Sequence, residues 1–180
     1  EIKTVGVVGA GQMGAGIAQV AAQAGLQVIV SDVADAALDK GKKAIADSLA
    51  RLVKKESLTP AAAEEVKGRL RFTTDIAAHS GSDFVVEAVS ENEGLKKKIF
   101  QELDRVVMKD VILASNTSSI SITRLAAATS RPERFIGMHF MNPVPVMKLV
   151  EIIRGQDTSD ATTRTVMECS EALGKIPVEA

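Results

Sequence analysis

Apolar positions along the chain fall into two patterns that take turns. Short stretches that are apolar nearly throughout, at residues 5–8, 26–30, 83–87, 111–114 and 135–140, read as strands buried on both faces. Between them the spacing lengthens to that of helices. Ile17, Val20, Ala21 and Ala24 recur at i, i+3, i+4 and i+7 before Gly25, a residue suited to the left-handed stop of a helix. The same reading predicts a long helix over residues 35–56, a second piece after Pro60, helices over 95–107 and 161–173, and further strands at 70–72 and 175–178. An apolar run also covers 146–153. Strands that alternate with helices call for a mostly parallel, doubly wound α/β sheet covered on both sides, with a helical excursion after the second strand. At 180 residues, one domain spanning 1–180 is expected.

Composition narrows the chemistry by exclusion. Lys and Arg total 22 against 23 Asp and Glu, a net charge of -1, so no uniformly basic surface grips nucleic acid and any anion site must be local. Cys169 is the single cysteine, which excludes an intrachain disulfide and a thiolate metal cluster; it reads as a small buried hydrophobe. No apolar run approaches the ~18 residues of a membrane span, and no secretory pattern opens the chain at Glu1, so a protein away from membranes is expected.

The most informative cluster is Gly9-x-Gly11-x-x-Gly14. It follows the first predicted strand, opens the first predicted helix, and is answered by Asp32 at the end of the second strand. Gly9 permits a tight turn, Gly11 lets the backbone approach a pyrophosphate, and Gly14 lets helix and strand pack closely. The helix start, with Gln12 and Met13 in its first turn, offers free N–H groups and positive dipole charge to phosphates. Asp32 is placed to accept hydrogen bonds from an adenosine ribose, and its charge repels the extra 2′-phosphate of NADP. NAD is therefore the expected cofactor. If the glycines served only a tight connection, NADH would not bind.

Two other regions carry chemistry. Between Lys40 and Lys55 lie six basic residues and only Asp47 as an acid; Leu38, Ile45, Leu49, Leu52 and Val53 share one arc of the helix, and Lys40, Lys43, Arg51, Lys54 and Lys55 fall opposite, with Lys42 the exception. Such a stripe is either a solvated face or a landing site for a polyanionic handle such as the phosphates of coenzyme A; Ser48 and Lys55, two turns apart on its margin, could contact one ligand. Near the other end, Ser115-Asn116-Thr117-Ser118-Ser119 collects hydroxyls at the C-terminal end of a strand, where open α/β sheets bind ligands. The plainer alternative is a turn leading to a helix capped by Ser121. His139 interrupts an apolar strand, and period-2 alternation puts Glu151 on a face with Met147, Leu149 and Ile153, where a histidine would be a fitting partner. His79, in a polar loop sequence, is expected to be solvated.

These motifs, joined by Val86-Glu87-Ala88-Val89-Ser90-Glu91-Asn92 and His139-Phe140-Met141-Asn142-Pro143, run in order across nearly the whole chain. Together they resemble the NAD-binding domain of the (S)-3-hydroxyacyl-CoA dehydrogenases, the short-chain 3-hydroxybutyryl-CoA enzymes above all. The resemblance implies a Rossmann-type sheet and an oxidoreductase that moves a hydride between NAD(H) and C3 of a 3-hydroxyacyl-CoA or 3-oxoacyl-CoA in fatty acid metabolism. It implies that His139 is the general base, that Glu151 orients it, and that Ser118 hydrogen-bonds the substrate oxygen. It assigns NAD to Asp32, Glu91, Lys96, Ser118 and Asn142 beside the Gly9, Gly11, Gln12, Met13 and Gly14 cradle, and coenzyme A to Ser48, Lys55 and Ser118; no metal is implied. Family members continue into a helical second domain with dimer contacts and a further active-site asparagine, and these residues stop short of both. The cofactor site is thus expected to be complete and the cleft to have one wall, in a full-length homodimer of the cytoplasm or, after leader removal, the mitochondrial matrix. Two other readings remain open: a module that holds NAD(H) without turnover, and another β-hydroxyacid dehydrogenase sharing the first fingerprint.

Overall fold

The computed structural model describes residues Glu1–Ala180. Strand β1 (Thr4–Val8) leads through the glycine turn into α1 (Gln12–Gln23), and β2 (Gln27–Ser31) follows. The excursion comes next, α2 (Asp35–Lys54) and α3 (Pro60–Gly68), before β3 (Leu70–Thr73). The chain continues through β4 (Phe84–Glu87), α4 (Glu93–Val106), β5 (Ile112–Ser115), the short α5 (Ile122–Ala126) and β6 (Phe135–Phe140). It ends with β7 (Leu149–Arg154), α6 (Asp160–Ala172) and β8 (Ile176–Glu179).

One eight-stranded sheet runs β3-β2-β1-β4-β5-β6-β7-β8. The first six strands pair in parallel; β7 is antiparallel to β6, and β8 is parallel to β7. The winding reverses direction between β1 and β4, and at such a switch point the connections diverge and leave a crevice beyond the carboxyl ends of the strands. Val7, Val28, Val30, Val85 and Leu113 are completely buried, as strands covered on both faces require.

The predicted elements are present with shifted ends, and two local expectations are corrected. The run from Val146 becomes a strand only at Leu149, because the N–H groups of Val146 and Met147 turn back onto the Pro143 carbonyl oxygen, in a loop that rests on α1 through Val144 and Pro145. His79 is not solvated. A 3-10 turn, Ile76–Gly81, carries it into the core with no exposure, its Nε2 2.8 Å from Ser31 Oγ. The ring occupies the space over Gly6, where a Cβ would stand 2.4 Å from Nδ1. Burial pushes its pKa down to about 4, so it is a neutral core residue. Cys169 is buried as expected, and burial pushes its thiol up to about 11, which removes it as a nucleophile.

A buried arginine fixes the rear of the sheet. Arg131 Nε donates to Asp104 Oδ1 at 2.8 Å, and its terminal nitrogens donate to the carbonyl oxygens of Asp104, Val107, Met108 and Val111, closing the C-terminal end of α4. Burial opposes charge on Asp104, but hydrogen bonds from Ser130 and Arg131 outweigh it and hold the carboxyl below its ordinary range. Arg131→Met should cost about 3–5 kcal/mol in urea unfolding at neutral pH, since it strands a partly buried charge and several carbonyls. The depressed Asp104 contributes stability above the ordinary carboxylate range and loses it in acid, so wild type and variant should converge toward low pH. A neutral-pH loss below about 1 kcal/mol would contradict this role.

Candidate active site

The glycine turn is shaped by what it excludes. Gly9 has φ +109°, and a Cβ there would stand 2.8 Å from the Ala88 carbonyl oxygen; a Cβ at Gly14 would stand 1.9 Å from the Gly9 carbonyl oxygen. Over Gly11 nothing lies within 4 Å, so the one glycine meant to face a ligand faces open space. Gly11 caps α1 with no side-chain hydrogen bond, and no acid sits in the first turn. The donor set therefore suits a pyrophosphate. Asp32 accepts from the backbone N–H of Ala10 (2.9 Å) and Ala34 (3.1 Å), which fixes its carboxylate at the lip of this turn, where a ribose would lie. These residues fit a bound NAD.

Below the turn, a cavity of about 690 Å³ is lined by Gly11, Gln12, Ser48, Lys55, Pro145 and others. The basic stripe divides here. Lys40, Arg51 and Lys55 line the cavity, whereas Lys43 pairs with Asp47 at 2.9 Å and Lys42 lies 6.0 Å from the centre of the Phe72 ring. Fully buried Gln19 donates to Ser48 Oγ at 2.9 Å and to Gln23 Oε1, orienting the serine hydroxyl.

A second cavity, about 300 Å³, lies at the carboxyl ends of β4, β5 and β6, with Met13, Glu91, Lys96, Ser118, His139 and Asn142 in its wall. Strand register builds its far side: His139 and Glu151 are direct partners across the antiparallel β6–β7 pair, and His139 Nδ1 lies 3.0 Å from Glu151 Oε1. Nε2 has no partner within the chain. The face carrying Glu151 is more open than the alternation suggested, with Met147 40% and Leu149 38% exposed. The pairing holds, but its cause is register rather than the cost of an isolated buried carboxylate.

On the near side, Glu91 accepts from Thr117 Oγ1 (2.7 Å), Ser119 Oγ (2.9 Å) and Lys96 Nζ (3.2 Å). Burial works against its charge, but these hydrogen bonds and the ammonium of Lys96 prevail and bring its pKa down to about 2. Ser118 is exposed beside them, its hydroxyl unengaged by the chain.

Residues 4–180 match the family described as "3-hydroxyacyl-CoA dehydrogenase, NAD binding domain". The chain belongs to this family. It is 56% identical over 173 residues to a Deinococcus radiodurans protein named "Probable 3-hydroxybutyryl-CoA dehydrogenase", covering 96% of this chain and 62% of that one. It is 48% identical to the mitochondrial hydroxyacyl-coenzyme A dehydrogenase of Rattus norvegicus, covering 98% of this chain and 58% of the relative. Among solved structures, the (S)-3-hydroxybutyryl-CoA dehydrogenase of Ralstonia eutropha superposes with a TM-score of 0.97 at 54% identity, covering 99% of this chain and 63% of that one. The chain thus spans about three fifths of the length of these relatives.

Within this NAD-binding domain, three supporting residues escape sequence reasoning. Glu87, fully buried, accepts from Ser115 Oγ (2.6 Å), the Val89 N–H (2.7 Å) and Lys96 Nζ. Asn116 Oδ1 accepts from the Phe140 N–H at 2.8 Å, tying the ends of β5 and β6 together beside His139. Lys175 Nζ donates to the carbonyl oxygens of Val144 and Met147 (2.7 Å), pinning the loop that carries Asn142, while Val144 itself packs on Gly16. A charged residue within an apolar stretch was the only available signal for Glu87 and Lys175.

Replacing Asp32 with Ala should weaken NADH by about 1.5–3 kcal/mol, the range of a hydrogen bond to a charged group, and narrow the preference over NADPH. Fluorescence titration with both nucleotides checks this; an unchanged ratio would refute the ribose role.

Proposed function

We propose that this chain is the NAD-binding domain of an NAD-dependent dehydrogenase that interconverts a short-chain (S)-3-hydroxyacyl-CoA, such as 3-hydroxybutyryl-CoA, and its 3-oxoacyl-CoA. The observation that carries the reading is His139, paired to Glu151 through Nδ1 and with Nε2 unengaged, lining one cavity with Ser118, Asn142 and Met13 of the first turn of α1. The bound nicotinamide supplies the hydride chemistry at its C4. For oxidation, His139 Nε2 takes the proton of the 3-hydroxyl while the C3 hydrogen leaves with its electron pair; for reduction the imidazolium returns the proton. Glu151 accepts from Nδ1–H, which leaves the Nε2 lone pair toward the substrate and supports the positive charge that forms. Ser118 Oγ offers a hydrogen bond to the reacting oxygen.

The stripe residues Lys55 and Ser48, with Lys40 and Arg51, line the larger cavity, where the phosphates of coenzyme A would meet positive charge. The relatives' additional length supports the further proposal that the second wall of the cleft, and the contacts of a homodimer, lie outside residues 1–180. No helix is long and apolar enough to cross a membrane. With relatives in bacteria and one named as mitochondrial, the proposed compartment is the bacterial cytoplasm or the mitochondrial matrix.

The test follows loss of nicotinamide absorbance with NADH and acetoacetyl-CoA, using the chain joined to the remaining length of its relatives. His139→Gln should lower turnover by at least the ~10²–10⁴ typical of a general acid or base while leaving NADH affinity within about twofold. Substantial activity in that variant would dispose of the assignment.

A further inference from the structure

The near wall of the smaller cavity holds two carboxylates and one ammonium. Lys96, 1% exposed, divides its three N–H groups among Glu87 Oε2, Glu91 Oε1 and the Val89 carbonyl oxygen. Glu87 is sealed beneath the cavity by its three donors, so the pair it forms with Lys96 is neutral from the cavity side. One unit of negative charge remains. It sits on Glu91, which lines the cavity and is held there by two hydroxyls and the backbone N–H of Ser118. Across the cavity His139 lines the wall and Glu151 stands behind it, paired to Nδ1 and outside the lining. The Glu91 charge stays constant through a reaction cycle.

A fixed anion beside a nicotinamide cannot be neutral between its two redox states. The oxidised ring is a cation and the reduced ring is uncharged, while the rest of the dinucleotide is the same in both. We propose that Glu91, anchored by Lys96 and Glu87, sets the redox poise of the bound cofactor by favouring NAD⁺ over NADH relative to an uncharged wall. Bound NADH then becomes the stronger hydride donor, and the equilibrium on the protein is drawn toward reduction of the 3-oxoacyl group. The inference rests on the reading that the nicotinamide occupies this cavity. It differs from a role in contact or loop anchoring alone, because either of those acts on both redox states alike.

With the Glu91 side chain 41% exposed, water screens part of its field, so a change of the order of tenfold in relative affinity is expected, not the several orders of magnitude of a dry interior. For a two-electron couple tenfold corresponds to about 30 mV.

The experiment measures NADH affinity by nucleotide fluorescence and NAD⁺ affinity by displacement, in wild type, Glu91→Gln and Glu91→Asp. The amide keeps the shape and can still accept from Thr117 and Ser119 but lacks the charge; the shorter acid keeps the charge while disturbing the loop. Glu91→Gln should raise the ratio of the NAD⁺ to the NADH dissociation constant about tenfold, whereas Glu91→Asp should weaken both by a common factor and keep the wild-type ratio. Glu91→Ala supplies the same neutral wall should the amide variant fail to fold. An unmoved ratio in the neutral variants, or an equal shift in Glu91→Asp, would overturn the proposal and leave Glu91 as a loop anchor. A wild-type chain that binds neither nucleotide would instead remove the cofactor reading, and this proposal with it.

Discussion

Position 14 has room for a hydrogen atom and nothing more, and the cofactor cradle follows from that. With the Gly9 carbonyl oxygen 1.9 Å from where a Cβ would stand, α1 can lie against the end of the first strand only because glycine is the third residue of the helix. The same close approach recurs one layer out, where a Cβ at Gly41 of α2 would stand 2.6 Å from the Ala10 carbonyl oxygen. Two helices are thereby drawn in against one turn. The first aims its uncapped N–H groups at the crevice, and the second brings Lys40, Ser48 and Lys55 along the cavity beneath it. Two close backbone approaches to one turn therefore position both the uncapped helix start and the basic lining of the larger cavity.

The half of the site that carries the proposed base, His139, is built by strand register. The β6–β7 pairing alone is antiparallel, and this reversal places Glu151 opposite His139 with no intervening element. The two halves meet in the loop after β6, where Asn142 lines the smaller cavity and Pro145 the larger. Lys175 holds that loop from one side and Gly16 admits Val144 from the other. The cradle helix thus seats the loop that lines the smaller cavity.

Much of this was legible in the residues because its physical demands are local. A glycine triplet after a β-branched run and an aspartate at the next strand end state their purpose within thirty residues, and alternation suggested His139 as a partner for Glu151, although the pairing itself comes from strand register on a face more open than alternation implied. Features that depend on distant partners were not legible. His79 sits in a polar stretch and reads as solvated, yet the hole over Gly6 and the hydroxyl of Ser31 take it into the core. Glu87 and Lys96 form a buried pair only because β4 and α4 meet there, and Lys175 finds its carbonyl partners about thirty residues earlier in the chain. The division of the basic stripe between cavity and solvent likewise depends on where α1 and the loop after β6 stand.

The measurement that bears most directly on the account is calorimetric titration of the 180-residue chain with NADH and, separately, NADPH. The proposed cradle predicts saturable one-to-one binding of NADH and markedly weaker binding of NADPH, because the Asp32 carboxylate, fixed beside the turn, would repel the extra phosphate. Absence of NADH binding by the folded chain, or equal affinity for the two nucleotides, would contradict it.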